Sequence, residues 1–521
     1  MTSTPPKFAW SSRVKLVAAA QGVVKASQLI MAAILVRALT HESWSHVALL
    51  LSLYQVAVSL GGFSLQQSIY FFSARTPPQD RRALYVHNAL MLAGTGLFAA
   101  TALVLLAGPL SAGRPGLQEI IYLIAACVVL EVPSSGLGEI LVSTERIAAA
   151  SALQVTLALL QTAALCLPLV VTGRLESGFY GLLFYSLVRM VAFILVVRHT
   201  TAPAPVSRLL WEWTPARRAL VRSQLTYVLP LAFSTTLSLL SRNVDKWLVA
   251  AYDAAAYGAF AIAAIEVPFI SMLAGASGTV LATRIVHAFH VKNVEYARQV
   301  FVAGAGRLTL VVVPAAMLLI VVAPEALELV FSREVAAASL SFSLTAAILL
   351  CRVCEYGMVM RAAEDTRSLW WSSVFYLAGT SVLGFVGVHL FGAVGVAVGT
   401  LLTVLCLWTY GLMRVRHAFG CAWSESFPWP VYGRVLLASI GAAVVARLVG
   451  DLPGQLPGDL AGQVPIRLGL IVITHLSLYA LALRVFNLRR YVSAMPEDLP
   501  SVSSDGPVLT APPETSSRLD R

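Results

Sequence analysis

Apolar residues run along this chain in blocks of roughly 20, each bounded by charged residues or by Gly and Pro. Blocks of that length suit an α-helix crossing the hydrocarbon core of a bilayer. The pattern predicts about fourteen spans, near residues 14–36, 47–72, 84–110, 117–142, 147–171, 179–197, 225–251 and 257–285 in the first part of the chain. The remainder lie near 308–331, 340–360, 369–390, 393–413, 431–449 and 466–486. Pro453, Pro457 and Gly458 crowd the connection between the last two, which are the least sharply bounded.

Polar residues inside these blocks carry the functional signal. The span 225–251 contains Arg242-Asn243-Val244-Asp245-Lys246. A charge at membrane depth costs roughly 2.5–3.5 kcal/mol on insertion scales, so such residues face a polar interior and mark pathways. On one continuous helix Arg242 and Lys246 share a face at i,i+4, and Asp245 stands at i+3 from Arg242. Helical rise places Asp245 roughly 10 Å below Tyr252. One account is an intrahelical ion pair near the outer end. The other has two cations facing a cavity, with Asp245 balancing one and the rest receiving a diphosphate. Arginine would supply a donor fork for phosphate oxygens and lysine a point charge.

In the first span Gln21, Lys25 and Gln28 line one stripe, with Lys25 near mid-bilayer, where cavity lining and snorkelling compete. Glu131 and Glu355 lie deep in the fourth and tenth spans. Glu355 has Arg352 at i−3 and reads as structural. Glu131 has no local cation, and a buried carboxylate without a partner is a proton carrier, so it is the stronger candidate for ion coupling. Glu266, beside Pro268, and Arg189 complete the intramembrane charges, and a Glu–Arg pair between helices accounts for both. His287-x-x-His290 has a possible metal spacing but reads as a solvated loop.

Composition agrees with the pattern: 58% of the 521 residues are hydrophobic and 12% charged, with mean hydropathy +0.78. Soluble domains carry about a quarter charged residues. The net charge of +11 would suggest nucleic acid in a soluble protein. Here Lys and Arg gather in alternate loops (Arg75/Arg81/Arg82, then Arg198 to Arg222, Arg284 to Arg307, and Arg414 to Arg434), which places those loops and both termini in the cytoplasm. No nucleic-acid partner is needed. The six cysteines fall mostly within spans, with Cys351 and Cys354 on one helix, and read as buried apolar side chains rather than a metal or redox site. Polar Gln21, Lys25 and Gln28 argue for a retained first helix rather than a cleaved signal.

The two halves echo each other. Cys127-Val-Val-Leu-Glu131 matches Cys351-Arg-Val-Cys-Glu355, Thr144-Glu145-Arg146 matches Asp365-Thr366-Arg367, and Val197-Arg198-His199 matches Val415-Arg416-His417. By subtraction the offsets are 224, 221 and 218 residues. Three matches in order imply a duplicated six-helix unit related by an axis along the membrane normal. Alignment through Trp44 and Tyr257 sets Lys25 opposite Ser238, one turn before Arg242. The expected organisation is a cytoplasmic N-terminus at 1–13, a six-helix bundle at 14–198 and a cytoplasmic amphipathic linker at 199–222. A second bundle follows at 223–416, then two additional spans at 417–490 and a disordered cytoplasmic tail at 491–521.

Several runs resemble a known family. Tyr227-Val-Leu-Pro230-Leu-Ala-Phe-Ser234, Arg242-Asn-Val-Asp245-Lys246-Trp-Leu-Val and Ala256-Tyr257-Gly258 resemble the seventh span of Wzx-type polysaccharide flippases, in the multidrug/oligosaccharidyl-lipid/polysaccharide exporter superfamily. Ile34-Leu-Val-Arg37-Ala-Leu-Thr with Glu42-Ser-Trp44 resembles their opening, and Gly392-Ala-Val-Gly395-Val-Ala their glycine pattern before span twelve. Trp44 and Ser45 depart from a tyrosine-glycine common there. The resemblance implies an all-α polytopic integral membrane protein with two six-helix bundles in a pseudo-two-fold V, plus two C-terminal helices.

It further implies a bacterial inner-membrane flippase for an undecaprenyl-diphosphate-linked oligosaccharide, working by alternating access beside a polysaccharide polymerase and chain-length regulator. Lys25, Gln28, Arg242, Asp245 and Lys246 would bind the substrate. Glu131, Glu266 and Glu355 would serve coupling to a proton or sodium gradient, with no cofactor. A peptidoglycan-precursor flippase and a drug/cation antiporter are the rivals within transport, though the antiporter would want an acidic cavity. A membrane polymerase or ligase would need larger external loops. With no Gly-rich phosphate loop, direct ATP drive is disfavoured.

Overall fold

A computed structural model describes residues 7–73, 76–77, 80–111, 115–200, 215–265, 281–282, 284–452 and 464–486. Residues 201–214 of the amphipathic linker expected at 199–222, Glu266 and the C-terminal tail lie outside them. Every regular element described is helical, and ten described helices are long and apolar enough to cross a membrane. Backbone groups in lipid must be paired within their own segment, which is why apolar blocks of this length become helices.

The first half comprises α1 (Lys7–Ala38), α2 (His41–Gly62), α3 (Ser68–Ser73), α4 (Arg81–Leu110), α5 (Pro115–Glu131), α6 (Leu137–Ser143), α7 (Ile147–Thr172) and α8 (Leu175–Thr200). Here α1 packs on α7, α7 on α8, α8 on α5, and α5 on both α4 and α2. The second half contains α9 (Pro215–Ser241), α10 (Val244–Tyr252), α11 (Ala254–Ala263), α12 (Val294–Val330), α13 (Arg333–Ala336), α14 (Ser339–Ala347), α15 (Tyr356–Ala362) and α16 (Thr366–Phe419). Two more helices, α17 (Trp429–Asp451) and α18 (Val464–Val485), pair with each other and pack on α12.

Several expected spans are interrupted. The fourth span breaks after Glu131, where Pro133 follows, and resumes at Leu137. The tenth runs through α14 and a tight 3-10 turn, Ile348–Cys351, then leaves helical geometry until Tyr356. Of the two segments equated by the sequence repeat, Cys127–Glu131 is helical and precedes its break, whereas Cys351–Glu355 is itself the broken stretch. Contrary to the sequence expectation, Cys351 and Cys354 therefore do not share one helix. The second span also breaks, at Phe63 and Ser64, whose φ angles of 44° and 54° lie in the left-handed region.

The expected spans at 369–390 and 393–413 form one long element kinked at Phe391 and Gly392. Gly392 has φ +58°, which a side chain would strain. The second arm then begins with a capped N-terminus, because Asp253 Oδ2 accepts from the Ala393 N–H at 3.0 Å. Gly387 and Gly395 let the two arms touch backbone to backbone beside the kink.

Prolines inside α12 free two carbonyls, and neighbouring helices satisfy both. Pro314 cannot donate to Leu310 O, which instead accepts from the Tyr479 hydroxyl of α18 at 2.7 Å. Pro324 cannot donate to Ile320 O, which accepts from Ser343 of α14 at 3.2 Å. His475, fully buried on α18, meets Pro314 O at 3.1 Å. The C-terminal pair is thereby keyed to the proline positions of α12. A charged network adds to it: buried Glu325 of α12 meets Arg447 of α17 at 2.9 Å and Arg467 of α18 at 3.5 Å, and Asp451 bridges both arginines.

The halves touch at both ends of the molecule. Where α1 turns into α2, Trp44 Nε1 donates to Gly258 O at 2.8 Å and His41 Nε2 lies 2.9 Å from Ala255 O. Both contacts join residues 214 apart, near the repeat offset, as positions beside a pseudo-two-fold axis should. Arg37, at the end of α1, donates to the terminal carbonyls Leu329 O, Val330 O and Phe331 O of α12. Those carbonyls have no partner within their helix, and a cation suits the negative end of its dipole. At the opposite end Ser64 meets Thr235 at 2.6 Å, Gln224 donates to Ser68 at 3.3 Å, and the Phe71 and Tyr227 rings stack at 4.8 Å.

Candidate functional site

Between these two sets of contacts lies a cavity of about 590 Å3 whose walls come from both halves. Lys25 and Gln28 of α1 reach it from one side, and Arg242, Asp245 and Lys246 from the other. All five residues expected to bind substrate therefore line one cavity. Gln21, on the same sequence stripe as Lys25, is exposed and is not among the lining residues. Seven residues separate Gln21 from Gln28, nearly two turns, so a stripe can leave the cavity at one end.

The geometry around Arg242 corrects the sequence reading. The seventh span is not one helix: α9 ends at Ser241, Arg242 and Asn243 form a turn, and α10 begins at Val244. The i,i+4 face shared by Arg242 and Lys246 does not exist, because the break lies between them. Asp245 Oδ1 instead accepts from the Lys246 backbone N–H at 2.8 Å, in the first turn of α10. Asn243 makes no side-chain cap there, and the Asp245 carboxylate instead complements the positive end of α10.

Glu355 and Arg352 are also corrected. They were expected as an ion pair deep in the tenth span. The chain is non-helical between them, Glu355 is exposed, and it pairs with Arg361 at 2.7 Å. Arg352, released from the helical register, lines the cavity. Sequence reasoning missed it because it assumed an unbroken helix. The repeat offers no signal for this break, because at its offset of 224 Arg352 corresponds to Val128, which lies inside the unbroken helix α5.

Glu131 does not stand alone. It is 3% exposed, and Arg189 of α8 and the Tyr54 hydroxyl of α2 both donate to its carboxylate. Tyr185 lies 3.4 Å from Arg189, and Gln161 donates to Tyr54 at 3.5 Å. The expectation that Glu131 lacks a partner fails because its cation sits 58 residues away on a neighbouring helix. Arg189 is thus explained by the Glu–Arg pair between helices, with Glu131 as its partner.

Lys25, Arg242, Lys246 and Arg352 face this cavity with one carboxylate, Asp245, among its described lining residues. Neutral hydrogen-bonding groups join them, including Gln28, Ser52, Gln55 and Asn243. Such a lining receives an anion with attached polar groups. His287 and His290 are exposed on a helical stretch rather than in a loop, and no cluster of metal-ligating residues occurs among the described residues. All six cysteines are free thiols.

No family model and no curated protein matches the chain by sequence. Solved structures match it closely in fold. A lipid II flippase, MurJ, in an inward closed conformation superposes with TM-score 0.67 at 13% identity, covering 91% of this chain and 99% of its own. A multidrug resistance MATE family transporter of the MOP superfamily, inward-facing, gives TM-score 0.54 at 14% identity, covering 78% of this chain and 98% of its own. A MOP superfamily transporter from Pyrococcus furiosus, described as having a binding pocket of reverse polarity, gives 0.55 at 16% identity, over 78% and 95%. The chain is an all-α, multi-pass membrane protein with the fold of a lipid II flippase and of MOP superfamily transporters.

Proposed function

We propose that the protein flips a polyprenyl-diphosphate-linked saccharide across a bacterial inner membrane by alternating access, with both termini cytoplasmic. The cavity carries this reading: Lys25, Arg242, Lys246 and Arg352 oppose a single described carboxylate, between two halves joined at both ends. A diphosphate supplies the anionic head, arginine its donor fork, and the polyprenyl tail stays in lipid. The two halves would rock about the cavity, opening one set of end contacts while the other stays closed. A proton or sodium gradient, or the membrane potential, would act through Asp245. The substrate class is an undecaprenyl-diphosphate oligosaccharide repeat unit for polysaccharide export, following the family resemblance.

A peptidoglycan precursor is the second reading, favoured by the MurJ match over 91% of the chain against 78% for the MATE transporter. A drug/cation antiporter gains no support from a cationic cavity. Reconstitution in vesicles with a fluorescent undecaprenyl-diphosphate saccharide tests the proposal. Arg242→Gln should reduce flipping at least tenfold at unchanged protein level, and unchanged flipping would refute the role of Arg242. Wild-type vesicles that flip no such lipid would reject the function itself.

A further inference from the structure

We propose that the anionic head seats on the second-half wall of the cavity, held by Arg352 and the Tyr257 hydroxyl together with Arg242 and Lys246. This rests on the flippase reading and adds the orientation of the substrate within the site. Two breaks in the second half converge there. The turn at Arg242–Asn243 brings Arg242 to the cavity beside the first turn of the nine-residue α10, and the break after Cys351 delivers Arg352.

An independent observation points to a ligand on this wall. Tyr257 lines the cavity and is 2% exposed, yet its hydroxyl has no hydrogen-bond partner among the described residues. Thr400, on the same half, is 7% exposed and its Oγ1 is likewise unpartnered. Buried hydroxyls are normally satisfied, and a phosphate oxygen is a strong acceptor for both. Asp245 shares the wall, but one of its oxygens is engaged by the Lys246 N–H, and three cations outnumber it there.

The opposite wall differs in chemistry. Its one lining cation among the described residues is Lys25, and Gln28, Ser52 and Gln55 supply neutral donors and acceptors. Hydroxyl-rich sugar units fit that side. The head therefore spans the cavity, with its diphosphate on the second half and its saccharide toward the first.

Binding to the purified full-length chain tests this, with undecaprenyl diphosphate, undecaprenol, inorganic pyrophosphate and a saccharide-bearing undecaprenyl diphosphate as probes. Tyr257→Phe removes a hydroxyl that no described residue uses, so its Tm should stay at the wild-type value while affinity for undecaprenyl diphosphate falls at least fivefold. Arg352→Gln should lower that affinity at least tenfold, and Gln55→Ala should weaken the saccharide-bearing lipid more than the saccharide-free one. Should Arg352→Gln fail to fold, the Tyr257→Phe result decides alone. Wild-type affinity for undecaprenyl diphosphate in Tyr257→Phe overturns the proposed seat and leaves the flippase reading standing. Wild-type protein that binds undecaprenyl diphosphate no better than undecaprenol overturns the flippase reading. Pyrophosphate binding as tight as the lipid diphosphate would assign the seat to a soluble anion and overturn the lipid-linked source.

Discussion

Glu131 shows how much a single partner changes. With Arg189 and Tyr54 on its carboxylate it is one arm of an ion pair inside the first half. Replacing it by Gln leaves Arg189 charged with its main partner gone. Breaking a buried pair in this way costs roughly 3–5 kcal/mol, whereas removing both charges together costs far less. Glu131→Gln should therefore lower the Tm of the purified protein markedly, and Glu131→Leu with Arg189→Leu should recover most of the loss. A Glu131→Gln variant with wild-type Tm and flipping that no longer responds to pH would return the residue to ion coupling. The partner was invisible in the sequence because the two residues lie on different helices, and only packing brings α5 against α8.

At the scale of elements, the breaks and prolines decide more than the helices themselves. The Tyr479 hydroxyl satisfies the carbonyl that Pro314 frees, so Tyr479→Phe leaves Leu310 O buried without that donor. An unsatisfied buried group costs about 1–3 kcal/mol, and thermal unfolding should register the loss. At the Gly392 kink, Gly395→Val would drive a side chain into the Gly387 backbone. Overpacking where only backbone can yield costs at least about 1–3 kcal/mol, so expression of folded protein should fall while Gly433→Ala, with open space around it, is tolerated.

Asp365 caps α16 by accepting from the Ser368 N–H at 3.2 Å and pairs with Arg414 at 2.6 Å. Burial works against its charge, but hydrogen bonds from Arg414 and Ser368 outweigh burial and hold its carboxyl below the usual value of 3.8. Its contribution is complete above that value and is lost as pH falls through the lowered folded value. Asp365→Asn should thus lower Tm at neutral pH, and the gap to wild type should close under strongly acidic conditions.

For the whole molecule, the cavity is bounded by two sets of contacts with different chemistry. The set at the α1–α2 turn is built on hydrogen bonds to carbonyls, with Arg37 gathering the end of α12 and Trp44 and His41 reaching the start of α11. The opposite set rests on small hydroxyls, an amide and stacked rings. The alternating access we propose would require that one set open at a time, so weakening one should bias the equilibrium. Spin labels at Glu42 and Arg333, both exposed, should report a longer distance distribution in Arg37→Ala than in the parent protein. An unchanged distribution would exclude Arg37 as part of that closure.

The sequence by itself determined the class of fold. Lipid leaves backbone groups no alternative to internal pairing, so long apolar blocks had to become helices whatever their neighbours. It also marked Lys25, Gln28, Arg242, Asp245 and Lys246, because charge and polarity at membrane depth are too costly to be incidental. Tertiary structure alone decided where the helices stop and which charges meet. The turn at Arg242–Asn243 and the break before Glu355 separate residues that helical spacing had paired. Arg352 entered the cavity, Glu355 left for Arg361, and Glu131 found Arg189 across a helix interface. Spacing along a chain fixes neighbours only while the helix continues. Across a break or between helices, contact is set by packing, which local sequence does not encode.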